Sequence, residues 1–366
     1  MDRPSTNNTG GPANSSTDSV ESWEVIGYSL VIPMVCGVGV VANACSLIVL
    51  VKGADHLKES LYTYLKVLSV ADLVTVFLVF LSGLARGVWV DSFFWRCFDE
   101  LFHLPVGSIS SSVSITTLVA VTAERVAIIK APLGFRVYCT PLFARKLCAA
   151  NVVFSLIFNI PYFLTFTLRD GELVYSEFVQ SRYYAVHNWF RLALLGLIPA
   201  VSLLLGNLLL LHSLWRPRGP FIPARLLASL ADQRRLTWVL VAMICSFLLG
   251  EFPTHIASRS SAVTLLFLGR PDLLYTSSFR VFKLVVTILM SLHYSVNFFL
   301  YCAFNKRFAL ELQRILSDSL KCSRNNTSLG RVAPSTMMAS AQIPLRIAAP
   351  NYETAPFTTA AQRQMS

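Results

Sequence analysis

Apolar positions in this chain come in seven long blocks, at about 26–51, 63–85, 101–129, 144–166, 190–214, 236–258 and 281–303. Each is close to the about 20 residues that cross a bilayer as a helix. The blocks are apolar on every side, as a lipid-embedded or fully buried helix is. The third is the exception, with Ser108, Ser110, Ser111, Ser112, Ser114, Thr116 and Thr117 inside it. Those hydroxyls predict a helix at the centre of a bundle, bonding to neighbours on more than one side. Pro161, Pro199 and Pro253 fall inside the fourth, fifth and sixth blocks. Each removes an internal hydrogen bond and predicts a kink. After the last block, "CAFNKRFALELQRIL" places Phe304 and Phe308 one turn apart, a short amphipathic helix for the inner leaflet. The pattern predicts an all-α membrane protein: a polar tail at 1–25, a seven-transmembrane helix bundle at 26–303, an amphipathic helix at 304–320 and a disordered tail at 321–366.

Composition agrees. The 366 residues are 54% hydrophobic and 14% charged, against about 25% charged in an ordinary soluble domain. A net charge of +11 could point to nucleic acid. Its placement argues otherwise, because the cations sit in particular loops. Residues 130–146 hold Lys130, Arg136, Arg145 and Lys146 and no acid, and the tail after 303 holds eight cations. The first 25 residues hold one cation against four acids. The positive-inside rule then puts the N-terminus outside and the tail in the cytoplasm, as an odd number of spans requires. The polar N-terminus carries glycosylation acceptor patterns at Asn7 and Asn14 and does not read as a cleaved signal peptide. No HExxH, P-loop or nucleophile elbow occurs, and no CxxC pair, so the chain does not read as an enzyme or a zinc protein.

Charged residues inside the blocks stand out. Asp72 lies in mid-block, where a charge costs about 3 kcal/mol or more. Asn43, Ser114 and Asn297 are its candidate partners. This set could hold a structural Na⁺, or could be a polar cluster that only joins helices. No other cofactor is indicated. Glu124 and Arg125 sit together at the cytoplasmic end of the third block, either as an interfacial ion pair or as a switch. In the sixth block Glu251, His255 and Arg259 recur every four residues and share a face. They could fix the bend at Pro253 or form one wall of a ligand cavity open to the outside.

These motifs together resemble the rhodopsin-like (class A) G-protein-coupled receptors over roughly residues 25–320. The resemblance rests on Asn43 in "GVVANACSLIVL", "LSVAD" ending at Asp72, "ERV" at 124–126, Pro199 in "LIPAVSLLLGN", "FLLGEFP" from Phe247 to Pro253, and "NFFLY" ending at Tyr301. Within that class, "RRLTWVLVAMICSFLLGEFPTHI" and "SVNFFLYCAFNKRF" are similar to invertebrate FMRFamide- and myosuppressin-type neuropeptide receptors and related orphan receptors. The resemblance implies that Glu124 holds Arg125 at rest, and that Arg125 and Tyr301 serve a G-protein switch when the sixth helix swings. It implies an extracellular, amidated peptide ligand, a heterotrimeric G protein, and arrestin and receptor kinases as further partners. It places the chain in the plasma membrane, with Cys322 as a palmitoylation candidate.

The chain also departs from the family. Glu251 stands where the family has Trp, Phe298 where it has Pro, and Asn207 where the fifth helix often has Tyr. The loop after the fourth block has no Cys to pair with Cys97. Gly107 stands where amine receptors carry Asp, and no Lys lies near Ser291 for a retinal Schiff base. A peptide fits best, because the outer ends mix charges such as Arg86, Glu100 and Lys283 with aromatics such as Trp89 and Tyr183. A seven-helix protein that signals weakly or not at all stays open, and a transporter less so.

Overall fold

The structure, a computed structural model, describes residues 22–130, 139–215, 235, 237–258, 263, 266–268 and 270–329. Asn7, Asn14 and Arg259 lie outside the described residues, and of Cys322 only the helical backbone is described. The chain divides into a unit ending at Asp318 and a second beginning at Ser319; the helix bundle belongs to the first.

Seven spans build the bundle. They are α1 (Ser22–Lys52), α2 (Ser60–Gly87), α3 (Phe93–Ile128), α4 (Pro141–Leu164), α5 (Arg182–Ser213), α6 (Thr237–Ala257) and α7, which runs Ser277–Ser295 and continues after a 44° bend as Asn297–Phe304. A further helix, α8, follows at Lys306–Leu329. Local chemistry sets several of the starts. Thr140 caps α4 by accepting from the Phe143 N–H at 3.2 Å, with Pro141 in the first turn. Ser181 caps α5 by accepting from Tyr184 at 3.2 Å. Between α4 and α5 a hairpin pairs β1 (Phe166–Arg169) with β2 (Glu172–Tyr175). Its turn residues Asp170 and Gly171 both have positive φ, 52° and 81°. An Asp-Gly pair supplies that geometry most readily, and the resulting turn matches the twist of the strands.

The prolines follow one rule. Pro33, Pro105, Pro199 and Pro253 each lie two residues after a wide π-turn, at Gly27–Val31, Phe98–His103, Leu192–Leu197 and Phe247–Glu251. The residue immediately before each proline donates its N–H to the carbonyl five residues back: Ile32 to Gly27, Leu104 to Asp99, Ile198 to Ala193 and Phe252 to Phe247. A proline ring collides with the carbonyl four residues earlier. One extra residue in the preceding turn moves that carbonyl aside. Pro161 has a different outcome: α4 tightens into a 3₁₀ turn at Ile160–Leu164 and stops. His187 of α5 then donates from Nε2 to the Phe158 carbonyl at 2.9 Å.

The central position of α3 follows from its hydroxyls. Toward α2, Thr75 donates to Ser110 at 2.8 Å and Ser114 donates to Asp72 at 2.6 Å. Toward α4, Asn151 donates to Thr117 at 3.0 Å and to the Val113 carbonyl at 3.1 Å, and accepts from Thr116. Asn159 donates to Ser112 at 3.0 Å. Apolar packing fills the space between these rungs, with Leu65, Leu68, Ile115, Leu118, Leu203 and Phe247 among the buried side chains. Lipid offers no hydrophobic drive for helices to associate, so the hydroxyl and amide rungs add directly to association.

Asn151 makes three of these contacts. Its replacement by Ala is expected to destabilise the bundle by about 1 kcal/mol, the usual scale of interhelical polar contacts in membranes. Thermal unfolding of purified protein in detergent checks this.

Candidate functional site

Three buried polar centres lie along the α2–α3 seam, and a fourth lies where α4, α5, α6 and α7 approach one another. The outermost is built on Asp99, which the π-turn of α3 turns inward. Ser82 donates to its Oδ1 at 2.5 Å, Arg86 donates from Nε to Oδ2 at 2.7 Å, and His103 Nδ1 lies 2.9 Å from Oδ1. Arg86 also sits over the ring of Tyr28 in α1. Beside this cluster Arg280 pairs with Glu24, which ties α7 to α1. Cys97 is among the free cysteines of the described residues, so the N-terminal end of α3 is held here by ion pairs and not by a disulfide.

At the second centre Asp72 is wholly buried. Its Oδ1 accepts from Ser114, and its Oδ2 accepts from Asn297 of α7 at 2.5 Å. Asn43, expected beside them, goes elsewhere. Its amide donates to the carbonyls of Gly39 at 3.1 Å and Tyr294 at 2.9 Å, which joins α1 to the backbone next to the bend of α7. The Oδ1 atoms of Asn43 and Asn297 are both buried without a hydrogen bond. With a carboxylate, a hydroxyl and the amide oxygen of Asn297, the donor chemistry suits a small hard cation, which prefers oxygen ligands. Among the described residues no cluster of three or more His, Cys, Asp or Glu could hold a metal.

The third centre corrects an expectation. Glu124 does not hold Arg125. Its two carboxylate oxygens accept from α2, Oε1 from Ser60 and Oε2 from Tyr64 at 3.0 Å. Among the described residues no carboxylate forms an ion pair with Arg125, and its Nε is buried without a hydrogen bond. Adjacent residues leave a helix about 100° apart, so a long acid can either fold back to its neighbour or turn to another helix. Here the α2 hydroxyls meet it. Tyr301 is fully buried, its hydroxyl makes no hydrogen bond, and its ring meets Phe308 of α8 edge-on at 5.5 Å.

The fourth centre keeps two of the three residues expected on α6. Glu251 and His255 are both about 3% exposed, with Nε2 of His255 3.8 Å from Oε1 of Glu251. Phe247 opens the π-turn that carries Glu251, and Pro253 follows two residues after its end. Arg191 of α5 is the cation whose charge reaches both Glu251 and His255. It lies over the Tyr162 ring at 5.0 Å. Tyr294 of α7 also interacts with Glu251. Sequence reading had not included Arg191, Tyr162 or Tyr294. Arg191 carried a signal, being a cation at the mouth of an apolar block; the tyrosines had none, because Tyr at such positions ordinarily packs as core.

Comparison with known proteins agrees with a seven-span receptor fold. The model of the rhodopsin family of seven-transmembrane receptors matches residues 42–301. The chain belongs to that family, whose members are receptors and not enzymes. It is similar to a probable G-protein coupled receptor of Caenorhabditis elegans, 24% identical over 297 residues, 76% of this chain and 66% of that protein. It is similar to the FMRFamide receptor of Drosophila melanogaster, 25% identical over 307 residues, 75% of this chain and 52% of that receptor. A third relative is the cysteinyl leukotriene receptor 1 of Cavia porcellus, 24% identical over 255 residues, 67% of this chain and 72% of that receptor. The chain thus spans just under two thirds of the worm protein and about half of the fly receptor.

Loss of one partner from the outer cluster is expected to be costly. Asp99→Asn should destabilise the receptor by about 2 kcal/mol, below the usual cost of breaking a buried pair because the Arg86 side chain is 35% exposed. Adding Arg86→Gln should cost less than the sum of the two single changes, in thermal unfolding and in surface expression.

Proposed function

We propose that the chain is a plasma-membrane receptor for an extracellular peptide that activates a heterotrimeric G protein. The carrying observation is the buried Glu251–His255 pair, with the half-buried Arg191 acting on both, beneath the outer ends of α4 to α7. Buried ionisable groups inside a membrane bundle are costly and mark functional sites. Glu251 there suits a cationic group of a ligand, such as an Arg side chain near an amidated peptide end. A relative named as an FMRFamide receptor supports a peptide, and so does the mixture of charge and aromatics at the outer ends. The leukotriene receptor among the relatives leaves ligand chemistry for experiment to decide.

In this reading the N-terminus is outside, glycosylated at Asn7 and Asn14, and the tail is cytoplasmic, with Cys322 available for palmitoylation and its Ser and Thr for receptor kinases and arrestin. Residues 1–25, 26–303, 304–320 and 321–366 are the outer tail, bundle, juxtamembrane helix and inner tail. Ligand binding shifts a two-state bundle toward a form in which α6 moves away from α3. Arg125 and Tyr301 then line the opening that receives the G protein. Asp72, Ser114 and Asn297 would hold Na⁺ in the closed form, with Asn43 fixing the backbone beside them.

Screening a peptide library with a G-protein activation readout tests the proposal. Against the peptide that activates, Glu251→Gln should raise the half-maximal concentration about tenfold or more, as loss of a charge-assisted contact does. Unchanged potency at normal surface expression refutes the role of Glu251. Epitope tags accessible on the same side of the membrane at both termini refute the topology.

A further inference from the structure

The third polar centre has a consequence for signalling. Glu124 is 7% exposed, and in a region this dry a carboxylate needs partners for both oxygens. Ser60 and Tyr64 supply them from one face of α2, four residues apart. Arg125 gains nothing from that arrangement. Among the described residues no carboxylate lies within ion-pair distance of it, and its Nε is buried without a hydrogen bond. A partly buried guanidinium without its counter-charge is unfavourable. Carbonyl or carboxylate oxygens of a cytosolic protein that enters beside α3 remove that penalty.

We infer that this receptor signals without ligand, because α2, through Ser60 and Tyr64, holds the Glu124 carboxylate away from Arg125. The inference rests on the reading of Arg125 as the group that meets a G protein. Ser60 and Tyr64 are positioning residues here: they act only through Glu124. A closed state that lacks the Glu124–Arg125 pair is less favoured against the open state by whatever that pair is worth. The open population rises by the same factor. The three residues belong to α2 and α3 and not to α6, the helix whose movement the proposed function invokes.

The test needs no ligand. Wild-type receptor and Ser60→Ala/Tyr64→Phe are expressed at matched surface density, and spontaneous G-protein activation is read over a panel of Gα subunits covering the coupling classes. Wild type is expected to signal above receptor-free cells. The double variant frees Glu124 to pair with Arg125, and its basal signal should fall about threefold, the shift that a partly exposed ion pair of ordinary strength produces. Ser60→Thr with Tyr64 intact should keep the signal, which separates loss of the hydroxyls from damage to packing. In a Glu124→Gln background the fall caused by the double change should disappear, because Gln cannot form the ion pair. Binding of nucleotide-free heterotrimer to purified receptor is measured alongside. Binding with no basal signal overturns the inference and leaves the receptor reading standing. Neither binding nor signal overturns both. A basal signal that is unchanged or raised in the double variant overturns the capture.

Discussion

Buried polar groups in lipid must find partners inside the protein, and in this chain α3 meets that demand. It carries more hydroxyls than a lipid-facing helix tolerates. They become an advantage only where α2 and α4 present complementary groups at the right heights. Ser110, Ser114 and Glu124 face α2; Ser112, Thr116 and Thr117 face α4. Sliding either neighbour by a turn would leave several of these groups without partners, at a cost of several kcal/mol each in hydrocarbon. The seam therefore fixes the register of three helices, and the remaining spans pack around that frame.

The same demand ties structure to signalling. Each acid along the seam is satisfied by a neighbouring helix: Asp99 and Glu124 by α2, and Asp72 by α3 and α7. Asp72 reaches across to α7 through Asn297, beside a bend where the Asn43 side chain of α1 donates to the Tyr294 backbone carbonyl. Rearrangement at that bend cannot occur without changing what Asp72 accepts. The Glu251 centre is the opposite case, with orphaned atoms on Glu251, His255, Tyr162, Tyr294 and Arg191 collected in one place. Orphaned atoms also occur elsewhere, on Asn43, Arg125, Asn297 and Tyr301 among others, so what sets this centre apart is that an acid, an imidazole and a guanidinium are gathered in it.

Much of this was legible in the sequence. Block lengths gave seven spans, and the serines and threonines of the third block gave its central place. Asp72, Ser114 and Asn297 were brought together as expected because each was a lone polar residue with few other destinations. Asn43 was misplaced because an amide serves a bare carbonyl as well as a carboxylate, and the bend of α7 that frees its neighbourhood leaves no mark short of three dimensions. The Glu124–Arg125 pairing failed for a related reason. Adjacent side chains leave a helix about 100° apart, so a neighbouring helix can draw one of them away, and Ser60 and Tyr64 look like ordinary interfacial residues until α2 is laid beside α3. The hairpin at 166–175 went unread although its Asp-Gly turn was a usable sign, since the reading of that loop concentrated on its missing cysteine.

The wide turns ahead of the four prolines have an effect on how these helices can be engineered. An inserted residue rotates everything beyond it by about 100° relative to an uninterrupted helix. A wheel drawn straight through Leu192–Leu197 or Phe247–Glu251 therefore assigns side chains on the far side of the proline to the wrong face. Arg191 and His255 each sit across such a phase break from the longer half of their own helix. Cross-linking pairs, labels or stabilising substitutions for these spans need two separate wheels, one for each side of the break.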